Sequence, residues 1–166
     1  MRILFMGSAD LACPCLDRLL AALADKVVGI VTQPDRPKGR SLHVAPCPVR
    51  AHVAERGIPV WTPENVNTPD SLACLSPLAP DLVVVVAYGQ LLKAELLALA
   101  PLGCINVHAS LLPRYRGAAP IQWAIANGET VTGVTTMHLN ARMDAGDIID
   151  QAAEPIRPDD TAASLQ

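Results

Sequence analysis

Residues 81–87 read Asp81-Leu82-Val83-Val84-Val85-Val86-Ala87, and they form the clearest strand pattern in the chain. From Leu82 onward the run is uniformly apolar and rich in β-branched side chains, which is typical of a parallel strand covered on both faces. A strand with one face in solvent would instead alternate between apolar and polar side chains. The stretch therefore predicts a buried parallel sheet.

Strand and helix patterns alternate on either side of this run. The predicted strands are 3–6, 27–31, 58–61, 102–108, 131–139 and 146–154, and the predicted helices are 10–24, 49–56, 69–78, 92–99 and 119–127. This order predicts an α/β fold with a Rossmann-like, doubly wound, mostly parallel sheet, helices on both faces and a late hairpin. Ligands of such sheets bind beyond the carboxyl ends of the strands, so we expect residues 7–10, 32–40, 87–90 and 106–117 at one edge.

Composition limits the class of protein. The 166 residues fit one domain with a sizeable core, because 51% of them are hydrophobic and 17% are charged. A net charge of -3 argues against a surface coated with nucleic acid, and an aromatic content of 3% argues against a platform for stacking bases. No apolar run reaches the roughly 18 residues that span a bilayer, so we expect no membrane partner.

The five cysteines are scattered and odd in number, which agrees with a cytoplasmic protein. Cys13-Pro14-Cys15 is too tight for the usual spacing of zinc ligands, and no histidine-rich segment follows it. We therefore expect no metal site.

The first candidate site follows the apolar run that ends at Ile105. Asn106 and His108 are two residues apart, so in a strand their side chains project to the same face. A carboxamide donor beside a titratable base suits a reaction that passes through an oxyanion. An isolated histidine is also often a satisfied core residue, and the residues alone leave that interpretation of His108 open.

Asp144 lies in a glycine-containing turn between the two last predicted strands. Taken alone, an aspartate beside a glycine is more often a turn residue than a catalytic one. The segment 32–48 is the longest irregular stretch, with four prolines and the basic side chains Arg36, Lys38, Arg40 and His43. It is either a solvated connector or a contact for a polyanion, and composition does not choose between them.

Short motifs extend this picture over the whole chain. The decisive run is Asn106-Val107-His108-Ala109-Ser110-Leu111-Leu112-Pro113, followed by Arg114-Tyr115-Arg116-Gly117-Ala118-Ala119-Pro120-Ile121-Gln122. The others are Gly7-Ser8, Gln33-Pro34-Asp35-Arg36-Pro37, Gly39-Arg40, Pro46-Cys47-Pro48-Val49, Ala87-Tyr88-Gly89-Gln90 and Met143-Asp144-Ala145-Gly146-Asp147. Their order resembles that of the folate-dependent formyltransferases, and within them the branch that formylates methionyl-tRNA.

The resemblance implies transfer of a formyl group from 10-formyltetrahydrofolate to the amino group of methionine on initiator tRNA, an early step of translation initiation. It implies that Asn106, His108 and Asp144 are catalytic. Asn106 would donate a hydrogen bond to the oxyanion, His108 would stabilise it or carry a proton, and Asp144 would orient His108. No covalent intermediate is needed, so Ser110 is interpreted as a turn residue or a cofactor contact.

The resemblance also implies two sets of binding residues. The expected folate-binding residues are Ser110, Leu111, Leu112, Pro113, Tyr88, Gly89, Leu92 and Asn140. The expected tRNA-binding residues are Arg36, Lys38 and Arg40 in the basic loop. Leu42-His43 stands where the family usually has a basic pair, which weakens the expected attraction for phosphate.

Members of this family continue well beyond the length of this chain. We therefore expect residues 1–166 to be a catalytic domain that is incomplete at its C-terminus, without the family's C-terminal β-barrel that helps to hold tRNA. Two alternatives remain within the family: a formyltransferase for a small amine, such as a nucleotide or sugar amine, and a folate-binding fragment with little activity. A dinucleotide-binding module is disfavoured, because Gly7-Ser8-Ala9-Asp10 lacks the G-x-G-x-x-G pattern.

Overall fold

A computed structural model describes residues 1–23, 26–38 and 43–166, with the backbone alone for Lys38 and His43. The chain divides into two compact units, Met1–Cys104 (unit one) and Ile105–Gln166 (unit two). None of the helices in these described segments has the length and apolar character needed to cross a bilayer.

Unit one is built on a parallel sheet. Its strands are β1 (Ile3–Gly7), β2 (Val27–Val31), β3 (Arg36–Lys38), β4 (His43–Ala45), β5 (Val60–Trp61) and β6 (Leu82–Val86). Its helices are α1 (Ala12–Leu23), α2 (Pro48–His52), α3 (Pro69–Leu75) and α4 (Ala94–Leu97), with a 3₁₀ helix at Ser76–Leu78. Strand β1 pairs in parallel with β2 on one side and β6 on the other, and β5 pairs in parallel with β2.

The central strands form the core of unit one. All five residues of β1 are buried, and so are Val83, Val84, Val85 and Val86 of β6. Burying an aliphatic side chain contributes about 1.5–3 kcal/mol, so this uninterrupted apolar run stabilises the centre of the sheet. The predicted α/β fold with a buried parallel sheet is confirmed.

Unit two is antiparallel. Its elements are β7 (Cys104–His108), which lies in this unit from Ile105 onward, α5 (Pro120–Ala126), β8 (Val131–His138) and β9 (Ile148–Pro155). Strand β8 pairs antiparallel with β7, through Ile105 to His108, and with β9 on its other side, so the predicted late hairpin is confirmed. Every residue of β9 is exposed.

Several predicted elements differ in extent. The helix predicted over 69–78 ends at Leu75 and continues as a 3₁₀ turn, because Pro77 cannot donate an α-helical hydrogen bond. The helix predicted over 92–99 is only the four residues Ala94–Leu97, and the backbone N–H of the preceding Lys93 donates to Oδ1 of Asn67. The prediction that 32–48 is irregular is wrong where β3 and β4 pair as antiparallel strands.

Candidate active site

His108 stands at the last position of β7, opposite Thr135 of β8, and is 8% exposed. Its Nε2 atom lies 2.9 Å from the backbone carbonyl oxygen of Tyr115. Because a carbonyl oxygen only accepts hydrogen bonds, Nε2 carries the proton in this contact. Nδ1 is then the ring nitrogen left to gain or lose a proton, and it faces Oδ2 of Asp144 at 3.7 Å.

Asp144 lies in the turn between β8 and β9 and adopts a φ of 45°, the left-handed region that aspartate and asparagine tolerate better than most residues. Its Oδ2 accepts the backbone N–H of Gly117 at 2.7 Å. The carboxylate is thereby fixed beside the imidazole. Asp144 is thus a turn residue whose side chain also meets His108, which sequence pattern alone could not decide.

Asn106 precedes His108 by two positions on β7 and lies opposite Met137. Strand alternation places Asn106 on the same face as His108, as expected. The side chain is half-buried, and none of the described residues of unit two forms a hydrogen bond with its carboxamide. Its Nδ2 is therefore an available donor within unit two.

The loop that follows β7 is held by a network of polar groups, of which Ser110 and Thr135 are fully buried. Ser110 is fully buried and its Oγ donates to the carbonyl of Arg114 at 2.7 Å. Oγ1 of Thr135 donates to the carbonyl of Ser110 at 2.6 Å and accepts the N–H of Leu112 at 3.0 Å. Nε2 of Gln151 donates to Oγ1 of Thr135 and to the carbonyl of Leu112, both at 2.9 Å. The hydroxyl of Ser110 thus closes the turn, while Leu111 is half-buried and Pro113 is exposed.

Thr135 and Gln151 support the loop of the candidate site, and neither was identified from the sequence. Each lies on a strand and carries no motif of its own, and each contacts Leu112 from more than twenty residues away. Thr135 is buried on β8 opposite His108, and this position would have identified it if the strand register had been known. Without the pairing register, nothing in the local pattern identifies either residue.

In unit one, polar groups meet at the carboxyl ends of β1, β2 and β6. Oγ of Ser8 donates to the carbonyl of Tyr88 at 3.1 Å and accepts the N–H of Gln33 at 2.9 Å. Nε2 of Gln33 also donates to the carbonyl of Tyr88, at 3.2 Å. The prediction that the segments near residues 8, 33 and 88 share one edge is confirmed within this unit. Gly89 follows with a φ of 90°, and Leu92 is half-buried.

Of the other predicted binding residues, Asn140 has local side-chain partners, whereas the buried hydroxyl of Tyr88 has no hydrogen-bond partner among the described residues. Burial raises the pKa of the Tyr88 phenol, so this side chain stays neutral. The carboxamide of Asn140 accepts the N–H of Arg142 at 2.9 Å and donates to the carbonyl of Ala145 at 3.1 Å, which shapes the turn that carries Asp144.

The predicted tRNA-binding residues lie on or near the β3–β4 pair. Arg36 is exposed and lies 3.6 Å from Oε2 of Glu64. Lys38 ends β3, and only its backbone is described. Arg40 lies outside the described residues.

The comparisons with known proteins cover the whole chain. Residues 1–166 match the family described as Formyl transferase. The chain is 53% identical over 165 residues to the methionyl-tRNA formyltransferase of Geobacter sulfurreducens, covering 99% of this chain and 52% of that protein. It is 54% identical over 167 residues to the methionyl-tRNA formyltransferase of a Synechococcus species, with the same coverage of this chain and of that protein. The chain therefore spans about half the length of the curated relatives it matches.

The fold is shared with solved structures. Phosphoribosylglycinamide formyltransferase from Bacillus halodurans has a TM-score of 0.79 and is 26% identical, with 99% of this chain and 85% of that chain covered. The Rossmann-like fold predicted from the sequence is confirmed by this match. Since the family match extends over every residue, the chain belongs to the formyl transferase family.

Proposed function

We propose that this chain carries the site that transfers a formyl group from 10-formyltetrahydrofolate to the amino group of methionine on initiator tRNA. The observation that carries the proposal is the pairing of His108 Nδ1 with Asp144 Oδ2 at 3.7 Å while Nε2 is held by Tyr115. The second ring nitrogen of an imidazole held by Tyr115 thus faces a carboxylate, and the amide donor Asn106 projects to the same face of β7. The names of the curated relatives support the same acceptor.

The folate, when bound, supplies the formyl group. The chain offers features that fit it. A Cβ at Gly89 would lie 3.5 Å from Nε2 of Gln33, so the missing side chain leaves a gap beside that carboxamide where a flat ring could approach the backbone. We propose that the backbone of Tyr88, Gly89 and Leu92 contacts the pterin. By the family resemblance, we propose separately that Asn140 in unit two is a folate-binding residue.

We propose that Ser110, Leu111, Leu112 and Pro113 hold the remainder of the folate. Their backbone is rigid, because Thr135 and Gln151 engage both polar groups of Leu112. The half-buried Leu111 and the exposed Pro113 offer apolar surface for an aromatic ring. A fixed loop of this kind lowers the entropy cost of binding.

Each catalytic side chain has a separate task in this proposal. Asn106 donates a hydrogen bond from Nδ2 to an oxygen on which negative charge builds up. His108 accepts at Nδ1 the proton that the acceptor amine loses and returns it to the leaving nitrogen. Asp144 stabilises the imidazolium while the proton is held there. No side chain needs to form a covalent bond.

We propose that the basic loop contacts the phosphates of tRNA through Arg36, Lys38 and Arg40. Arg36 supports this, because its side chain is 63% exposed and its partner Glu64 is 81% exposed. An exposed ion pair of this kind contributes only about 0–1 kcal/mol, so a phosphate can compete for Arg36 with little loss.

A small amine is the second candidate acceptor. The solved relative named phosphoribosylglycinamide formyltransferase matches in fold, at 26% identity. The higher identity of 53% to a methionyl-tRNA formyltransferase favours the tRNA acceptor. A folate-binding fragment with little activity is the third possibility.

A direct comparison of acceptors tests the proposal. The chain is mixed with 10-formyltetrahydrofolate and either charged initiator tRNA or phosphoribosylglycinamide, while folate affinity is measured separately by calorimetry. We expect formylation of the tRNA in preference to the small amine. Arg36→Gln should raise KM for tRNA and leave kcat nearly unchanged, whereas Arg18→Gln, on α1, should change neither. Preference for the small amine would overturn the assignment of the acceptor.

A further inference from the structure

Tyr115 supplies the carbonyl that holds His108, and its own backbone is unusual. Its φ is 56°, in the left-handed region, which costs about 1–2 kcal/mol for a residue with a Cβ. Such a conformation persists only where surrounding contacts impose it. The contacts that impose it on Tyr115 therefore also determine where its carbonyl points.

Those contacts converge on Glu129, which lies between α5 and β8. The hydroxyl of Tyr115 donates to Oε1 of Glu129 at 2.6 Å, and Nδ2 of Asn127 donates to the same hydroxyl at 3.1 Å. The guanidinium of Arg114 forms an ion pair with the same oxygen of Glu129 and lies 5.5 Å from the centre of the Tyr115 ring. We call Arg114, Tyr115, Asn127 and Glu129 the Glu129 cluster.

Glu129 thus holds two successive side chains of the loop. Its side chain is only 19% exposed, whereas that of Arg114 is 63% exposed, so the carboxylate is the sheltered centre of the cluster. The carbonyl of Arg114 is independently held by Ser110 at 2.7 Å. With both neighbouring groups fixed, the peptide between Tyr115 and Arg116 has little freedom to turn away from His108.

We propose that Glu129 is a positioning residue for His108: by fixing Tyr115, it holds the carbonyl that keeps the proton on Nε2 and leaves Nδ1 to exchange protons. The catalytic part of this statement rests on the proposed function, but the hydrogen bond itself does not. Glu129 touches neither His108 nor Asp144 in this arrangement. Loss of the Glu129 carboxylate frees Tyr115 to leave the left-handed region, which breaks the bond to Nε2.

The test is a proton NMR measurement on the ¹⁵N-histidine-labelled chain. In the parent chain we expect a slowly exchanging Nε2–H signal of His108, assigned by its absence in His108→Ala. Glu129→Ala should lose this signal through exchange with water, while Glu129→Gln, which keeps an oxygen acceptor for the Tyr115 hydroxyl, should retain it. Tyr115→Phe removes the hydroxyl alone and should lose the signal, which covers the case that Glu129→Ala does not fold. Glu154→Ala, on the exposed strand β9, is the matched control and should retain it.

Kinetics supply the second readout. Glu129→Ala should lower kcat by about tenfold to 100-fold, the cost of a misplaced catalytic group, with a much smaller change in KM for the folate. Glu129→Gln should recover most of kcat. Persistence of the Nε2–H signal in both Glu129→Ala and Tyr115→Phe would overturn the proposal, whatever happens to kcat. Absence of formyl transfer in the parent chain with the expected NMR pattern would instead contradict only the proposed function.

Discussion

The carboxylate of Asp144 accepts the backbone N–H of Gly117 at 2.7 Å. The same oxygen lies 3.7 Å from Nδ1 of His108, so one atom joins the turn after β8, the loop after β7 and the imidazole. This arrangement gives Asp144 a structural task and an electrostatic task that can be separated by substitution.

Asp144→Asn keeps an oxygen acceptor for Gly117 and a residue type that tolerates the left-handed φ, but it removes the charge. We expect kcat to fall by about 100-fold or more while the free energy of unfolding changes little. Asp144→Ala should also lower the free energy of unfolding by about 1–3 kcal/mol, because a backbone N–H loses its partner. Urea unfolding measures the free energy of unfolding of each variant, and formyl-transfer rates measure its kcat. Full activity of Asp144→Asn would show that the charge has no catalytic task.

Asn106→Asp is nearly isosteric and removes both N–H donors. We expect kcat to fall by about 100-fold to 1000-fold, the usual cost of losing an oxyanion donor, while folate affinity changes far less. Steady-state kinetics with calorimetric folate titrations separate the two effects. A variant with normal kcat and weakened folate binding would make Asn106 a binding residue only.

Thr135 is fully buried, and its hydroxyl contacts Ser110, Leu112 and Gln151. Thr135→Val removes the hydroxyl and leaves buried polar groups of the loop without a partner. We expect the free energy of unfolding to fall by about 1–3 kcal/mol, with weaker folate binding. Thr135→Ser keeps the hydroxyl, so its free energy of unfolding and its folate affinity should fall much less. A stable Thr135→Val together with a destabilised Thr135→Ser would point to the methyl group and its packing instead.

Burial raises the pKa of the Cys104 thiol to about 11, whereas Cys74 is exposed. The unfolded chain therefore releases the Cys104 proton first as pH rises above about 8.5, and the stability of the fold should decline between that pH and about 11. At pH 8, iodoacetamide should label Cys74 well before Cys104, as mass spectrometry of the peptides can show. Equal labelling rates in the folded chain would contradict the burial of Cys104.

Long apolar segments were predictable from the sequence, and short polar ones were not. The run from Leu82 to Val86 follows from its apolar pattern, because burial determines it. The hairpin of β8 and β9 follows from two late strand patterns joined by a glycine-containing turn. The helix α4 is shorter than predicted, and Lys93, which precedes it, donates a hydrogen bond to Asn67, a residue distant in sequence. The β3–β4 pair lies in a proline-rich stretch that has no alternating pattern.

In the candidate site too, some features could be predicted from the sequence and others depend on contacts between distant residues. Asn106 and His108 share a strand, so their common face could be deduced from their spacing. The approach of Asp144 to His108 depends on the pairing of β7 with β8, and only the family resemblance suggested it beforehand. The contacts of the loop after β7 with Thr135, Gln151 and Glu129 are not revealed by any local motif.

Single-turnover formation of formylmethionyl-tRNA by the folate-saturated chain, compared with its His108→Ala variant, tests the central claim most directly. We expect the parent chain to form the product and the variant to form it about 100-fold to 10,000-fold more slowly, at similar folate affinity. Equal rates in the two proteins, or a parent chain that binds the folate but forms no formylated tRNA, would contradict the account.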